Sequence, residues 1–401
     1  MELKNMQKVF LITLGRCGSR FLHGLIDGHP QVISFPQSFN PYNCFSISKK
    51  WNENAKNWSE RIMEHFTNIS WAYNKHVTKG FGNFSDFQGN SKIFKEHLLH
   101  SLDSEMSAQD FFYSFHEAYL KSLGEKSVHK THIFSHIHNF KYVEEIQNDF
   151  PMAKWIVMVR NPCAMMQSHY EEQLLKNHLQ DKLLAENWWQ GMNKFLEAIK
   201  LSDQLRKKVG ESNFKYIKIE NLHTNKDQEI KELIKWMGLS EHESLTKCTL
   251  GGADYQFIPR KNSVVQGSRP RKITNKRKNL FTEEDSLIVE KIFEKFMLDL
   301  NYPLKNSEMN FSKKIWKIRI AGDKKFSFLK SFVMRPWVED LGINPQFPIK
   351  KDPIRLNSVK RSFVKWGKEF IYLFNRKNVS SSKKLFWDNW RKWNEQNSTH
   401  V

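Results

Sequence analysis

The stretch that most constrains this 401-residue chain is KVFLITLGRCGSRFLHGLIDGHP, residues 8–30. Its apolar run at residues 9–13, closed by Gly15, reads as a strand buried on both faces. Phe21, Leu22, Leu25 and Ile26 then fall on one face of a helix. Between the two lies a short basic loop, Gly15-Arg16-Cys17-Gly18-Ser19-Arg20. A strand, a tight glycine turn and a helix point the unpaired amides of the helix's first turn outward. The macrodipole adds partial positive charge there, and Arg16, Ser19 and Arg20 add donors. Such a loop is suited to an anion. It lacks the GxxxxGK[ST] pattern, whose lysine reaches the outer phosphates and whose hydroxyl holds magnesium, so a triphosphate is the weaker expectation. Taken alone, the loop reads equally well as a glycine turn carrying surface arginines, and a second motif has to decide.

The formal net charge of +20 implies anionic partners: phosphate or sulfate esters, acidic polymers, nucleic acid or a membrane surface. The 31 Phe and 13 Trp argue against a disordered chain despite its polar average. Cys17, Cys44, Cys163 and Cys248 have neither metal-ligand nor redox spacing, so free thiols in a reducing compartment are expected. No apolar run approaches bilayer-spanning length and the N-terminus has no signal-like segment, which makes the cytoplasm the expected location.

Residues 37–125 read as a helical, aromatic insertion that suits the wall of an acceptor pocket or plain packing. A short strand is expected near Val128, ending in His129-Lys130-Thr131-His132, then a helix from Tyr142 to Asn148. Next comes the strongest strand signal, Lys154-Trp155-Ile156-Val157-Met158-Val159, closed by Arg160-Asn161-Pro162. Residues 163–207 read as helices and 214–219 as a strand. A further helix is stopped by Gly238, and another runs from Phe281 to Tyr302-Pro303. Strands alternating with helices predict an α/β fold, a doubly wound and mostly parallel sheet flanked by helices. Its ligands would lie beyond the carboxyl ends of the strands. The main domain is expected over 1–303, followed by a basic, aromatic-rich C-terminal extension over 304–401.

Arg160 and Ser168 are eight residues apart, at a strand end and within the next helix, so a guanidinium and a hydroxyl can meet on one phosphate. With the first loop, this pattern resembles the sulfotransferases that use 3′-phosphoadenosine-5′-phosphosulfate (PAPS). Arg16-Cys17-Gly18-Ser19-Arg20 resembles the family's 5′-phosphosulfate loop, and residues 154–162 with Ser168 resemble its 3′-phosphate strand and helix. The helix ending in His29-Pro30 is similar to that of tyrosylprotein and glycan sulfotransferases. Residues 216–222, the stop at Gly238-Leu239 and the final helix to Tyr302-Pro303 also resemble the family, in the family's order.

The resemblance implies a P-loop-like fold, PAPS as donor, an acceptor hydroxyl (probably on a glycan, from the likeness to glycan enzymes) and in-line displacement at sulfur. Cofactor contacts are expected from Arg16, Cys17, Gly18, Ser19, Arg20, Arg160 and Ser168. Arg16 and Lys130 are the candidates to stabilise the developing charge, and His132, in a Lys-Thr-His triplet like that of the cytosolic enzymes, is the candidate base. Gln37 stands near the place where the glycan enzymes carry a glutamate base, and His29 is an alternative. His136-x-His138 does not make a metal site by itself, and no metal is expected.

The extension carries 22 Lys and Arg against 8 Asp and Glu, which puts +14 of the charge there. Val359, Phe363, Trp366, Phe370 and Phe374 would share one face of a basic helix. That face suits an anionic membrane surface or acidic glycan, or equally a docked aromatic face with its lysines in solvent. No nucleic-acid-binding motif is present. Two rival readings remain: a nucleotide-dependent kinase or phosphotransferase of the same fold, and a non-catalytic protein that binds acidic polymers or membrane.

Overall fold

The structure, a computed structural model, describes residues 3–35, 38–49, 90–103, 105–124, 129–176, 184–250, 253–254, 256–257, 265–266, 286, 289–290 and 292–304. The chain divides into two compact units, Met1–Arg160 with Leu201–Ile273, and Asn161–Lys200 with Thr274–Val401. In chain order the described helices are α1 (Ser19–Asp27), α2 (Pro41–Lys49), α3 (Ser91–Ser101), α4 (Ala108–Ser122), α5 (Val143–Asp149), α6 (Pro162–Lys176), α7 (Leu184–Val209), α8 (Ile219–Thr224), α9 (Lys226–Met237) and α10 (Glu294–Asp299).

The first unit is built on β1 (Gln7–Thr13), whose residues are buried from Lys8 onward. It pairs on one side with β3 (His132–His138) and on the other with β4 (Lys154–Val159). Beyond these lie β2 (Val32–Ser34) and β5 (Phe214–Lys218), so the order is β2-β3-β1-β4-β5 and every pairing is parallel. A central parallel strand is covered on both faces, which is why β1 and β4 read as unbroken apolar runs. Phe10 of β1 stacks on Trp155 of β4 at 4.8 Å between centroids, and Phe112 and Phe150 close around the same ring. The chain visits one side of β1 for β2 and β3, then crosses to the other for β4 and β5. Reversal of this kind opens a crevice outside the carboxyl ends of the strands, so the loop after β1, the end of β3 and the end of β4 share that edge.

The described part of residues 37–125 is helical as expected, and it packs. Phe94 of α3 and Phe111, Phe112, Phe115 and Tyr119 of α4 are buried, and Phe35 meets Phe115 at 4.9 Å and Tyr119 at 5.3 Å. α4 starts on a capping box between Ser107 and Asp110. α9 stops at Gly238, whose φ of 88° is the left-handed C-terminal conformation read from its glycine. The expected strand around Val128 is corrected: β3 begins at His132 instead of ending there. Ile219, read as the end of a strand, opens α8. The extension after Leu304 lies outside the described residues, as do Gln37, Arg260 and Arg269.

α1 lies close to the short antiparallel pair β6 (Thr249–Leu250) and β7 (Ala253–Asp254). Gly24 permits that approach: a Cβ there would stand 2.3 Å from Cys248 Sγ and 3.0 Å from the Thr249 carbonyl oxygen. Gly24→Ala should therefore destabilise by about 1–3 kcal/mol through overpacking, despite alanine's better helix propensity. Urea unfolding measures this, and Cys248→Ala in the same chain should recover part of the loss.

In the second unit, Asn161 caps α6: its Oδ1 accepts from the Cys163 amide at 3.0 Å and from Ala164 at 3.3 Å, with Pro162 as first helical residue. Met192, Phe195, Leu196 and Ile199 of α7 are buried, and Phe195 meets Phe293 at 4.7 Å and Phe296 at 5.8 Å. Ser168 is buried in α6.

Candidate functional site

The loop between β1 and α1 is shaped by three left-handed residues: Gly15 (φ 98°), Arg16 (φ 51°) and Gly18 (φ 72°). Only glycine takes such angles without cost, and Arg16 does so as a non-glycine residue at the tip. Thr13 Oγ1 accepts from the Gly15 amide at 3.1 Å, and Cys17 Sγ–H donates back to the Gly15 carbonyl at 2.8 Å. Gly18 also has no room for a side chain, since a Cβ would meet Ile219 Cδ1 at 2.5 Å. The start of α8 thereby seats the loop. Gly18 is the N-cap of α1 and offers no side-chain cap, so the helix start keeps the electropositive character read from the sequence. Arg16 is exposed, Arg20 half-buried and Ser19 buried. Cys17 turns inward, and burial pushes its thiol up to about 12. Its side chain is a neutral turn-former, and any anion contact it makes is through the backbone.

Arg160 follows β4 directly, and its Nη1 donates to the Arg16 carbonyl at 3.2 Å. The two arginines read from separate motifs, 144 residues apart, therefore belong to one neighbourhood at the carboxyl edge of the sheet. Arg160 and Glu220 both act on the buried Cys17 thiol, which adds the first turn of α8 to the same surroundings.

Lys130 and His132 are not brought there. His132 pairs with Gln7, at the opposite end of β1 from the loop. Six steps of about 3.3 Å, roughly 20 Å, separate the two ends. Lys130 Nζ is buried and donates to the Val32 carbonyl at 2.8 Å and to that of His29 at 3.3 Å, and burial lowers its pKa. His132 Nε2 bonds the Met237 carbonyl at 3.0 Å and Nδ1 meets Thr131 Oγ1 at 2.8 Å. Both residues tie the amino edge of the sheet to its neighbours. His29 joins them there, with Nε2 on the Ser240 carbonyl at 2.9 Å. The cause of the misplacement is the strand boundary: a residue that opens a parallel strand faces away from the crevice that a residue closing it would face.

The sequence reading missed a chain of polar side chains on the correct edge. Ser34 closes β2, His23 lies in α1, and His136 and His138 lie at the end of β3. His23 Nε2 meets Ser34 Oγ at 2.8 Å, His23 Nδ1 meets His136 Nδ1 at 3.2 Å, and His136 Nε2 meets His138 Nδ1 at 3.3 Å. Ser34, His23 and His136 are buried, and His138 is exposed. Burial holds His23 down to about 3 and His136 well below the ordinary imidazole value; Arg20 lowers both further. No metal-binding group of three or more His, Cys, Asp or Glu occurs among the described residues. The available signal was the His-x-His pattern at 136 and 138, which the sequence weighed only as a metal ligand.

Comparison with known proteins follows this geometry. A family model described as the sulfotransferase family matches residues 8–243. Among solved structures, the chain is similar to the sulfotransferase domain of the Synechococcus PCC 7002 olefin synthase, at 14% identity over 60% of this chain and 76% of that one, with TM-score 0.39. It is similar to sulfotransferase STF9 from Mycobacterium avium at 13% identity over 75% of this chain and 78% of that one, with TM-score 0.40. For the sulfotransferase domain from the curacin biosynthetic pathway the identity is 14%, covering 75% and 99%, with TM-score 0.41. No curated protein matches the sequence.

Proposed function

The chain belongs to the sulfotransferase family, and from that premise we propose that it moves a sulfuryl group from PAPS to a hydroxyl of a carbohydrate or glycoconjugate. The observation that carries the reading is the bond from Arg160 Nη1 to the Arg16 carbonyl, which unites the two cationic elements at one strand edge. The residues fit the donor chemically. The loop offers backbone amides at a helix start without side-chain cap, kept open by Gly15 and Gly18, and the guanidinium of Arg160 stands beside it.

In this reading Arg16, Gly18, Ser19, Arg20 and the Cys17 backbone hold the 5′-phosphosulfate end, and Arg160 holds the 3′-phosphate. Ser168 is included on its eight-residue spacing from Arg160. PAPS, when bound, supplies the sulfuryl group and a stable bisphosphate leaving group. Arg16 then acts electrostatically, its donors set in place before negative charge grows on the departing oxygen. Lys130 and His132 take no part. The glycan acceptor rests on the helix ending in His29-Pro30 and on the basic surface implied by a charge of +20. A cytoplasmic location, and contact of residues 304–401 with an anionic membrane, belong to the same proposal.

Calorimetric titration distinguishes this reading from a phosphotransferase. Adenosine 3′,5′-bisphosphate is expected to bind and to raise the melting temperature without magnesium, and Ser168→Ala to weaken binding. Stabilisation by ATP with magnesium, and none by the bisphosphate, would overturn it.

A further inference from the structure

The end of β3 is irregular in a way that a plain strand has no need of. Leu11 pairs with His136 but Ile12 pairs with His138, so one extra residue, Ile137, bulges out of the ladder. His138 itself is left-handed at φ 68°, a conformation that costs a residue with a Cβ. A bulge at a strand end re-aims the side chain that follows it. Here the re-aimed side chain is an exposed imidazole beside Ile12, at the carboxyl edge where β1 leads into the anion-holding loop, and its Nδ1 is engaged by a buried chain.

That chain has a direction. Each neutral imidazole carries one N–H, so every contact along it needs one donor and one acceptor nitrogen. His23 bonds Ser34 through Nε2, and it also makes a backbone hydrogen bond to Phe35, the next residue, of the kind an N–H makes to a carbonyl. With its proton on Nε2, His23 presents a lone pair at Nδ1. His136 must then donate from Nδ1 and accept at Nε2, and His138 must donate from Nδ1. The lone pair of His138 is left on Nε2. Resting on the sulfuryl-transfer reading above, we infer that His138 is the general base that takes the acceptor's proton, and that His136, His23 and Ser34 are positioning residues that hold its Nδ1 protonated.

The chemistry balances. The acceptor's O–H bond breaks and its proton passes to His138 Nε2, while the oxygen's electron pair forms the new O–S bond. The S–O bond to the 5′-phosphate breaks, and its electron pair leaves with adenosine 3′,5′-bisphosphate. The proton stays on His138 because His136 and His23 are buried beside Arg20 and resist a second charge, and solvent can remove it from the exposed ring. His138 faces Arg20 as well, so its own pKa lies below the ordinary imidazole value, and it stays neutral and basic at pH 7.

The test uses the full chain labelled with nitrogen-15 in its histidines and observed first without ligand. Two-bond proton–nitrogen correlation spectra should show His138 as the Nδ1–H tautomer, titrating below the ordinary value. They should show it moving toward Nε2–H in His136→Gln and in the milder Ser34→Ala. An Nε2–H tautomer in the wild type, or one unchanged in both variants, overturns the positioning chain. With PAPS and 2-naphthol as probe acceptor, His138→Gln should transfer at least about 100-fold more slowly, binding adenosine 3′,5′-bisphosphate as tightly as wild type. His132→Ala should transfer normally. Full-rate transfer by His138→Gln removes the base assignment while leaving the sulfuryl-transfer reading intact. Failure of the wild type to bind the bisphosphate removes both.

Discussion

Replacing Arg160 with alanine is expected to weaken binding of adenosine 3′,5′-bisphosphate by about 10- to 150-fold. The figure follows from the about 1.5–3 kcal/mol that a hydrogen bond to a charged group contributes, with about 1.4 kcal/mol to each tenfold. Arg160 has two tasks at once, which sets the direction of the second variant. Its Nη1 donates to the Arg16 carbonyl, and the rest of the planar fork is available to a phosphate. Arg160→Lys keeps the charge but loses the fork, so its affinity should fall between those of alanine and wild type. Arg160→Ala should also loosen the left-handed Arg16, visible as faster amide exchange in the loop without ligand. Calorimetry on the three proteins settles the matter, and equal affinities would show that the 3′-phosphate lies elsewhere.

Acid should destabilise this fold earlier than its carboxylates alone would require. Burial depresses His23 to about 3, His116 to about 4 and His136 well below the ordinary value. All three are at most 2% exposed. In the unfolded chain each titrates near about 6.5. Below that pH the unfolded state binds protons that the folded state refuses, so stability is fully present above about 6.5 and falls as pH drops toward the folded values. Each histidine contributes a slope of about 1.4 kcal/mol per pH unit between its unfolded and folded values. Together they should lower the stability by several kcal/mol between about pH 6.5 and 4.5. The check is a series of urea unfolding curves across that interval. His116, with Nδ1 on the Phe112 carbonyl at 2.8 Å and far in sequence from the relay, separates the general effect from the site: His116→Gln should remove only its own share of the slope. A flat profile from pH 6.5 to 4.5 would mean that these imidazoles are solvated or charged in the folded protein.

β1 and β4 could be read from the chain because they lie at the middle of a parallel sheet, where every position is apolar and the run is continuous. The loop was legible for a related reason. Left-handed turns select glycine, and Gly15 and Gly18 announced them. β3 was misplaced because His132, Ser135 and His136 are buried polar residues within it. A pattern that scores polarity as exposure reads such a strand as a loop. Those side chains are buried without large penalty because partners from other elements satisfy them, and the partners lie up to 113 residues away in sequence. Orientation was lost with the strand boundary, and Lys130 and His132 were assigned to the edge they do not occupy.

What the residues alone determined is the sulfotransferase-type core: the order of strand, glycine loop and helix, and the two arginines that follow β1 and β4. Local backbone preference and apolar periodicity act over a few residues, and those are written along the chain. Which histidine stands beside the loop was decided only in three dimensions. A hydrogen-bonded chain drawn from α1, β2 and β3 exists only after the sheet has set their register, and one bulged residue at Ile137 then aims His138.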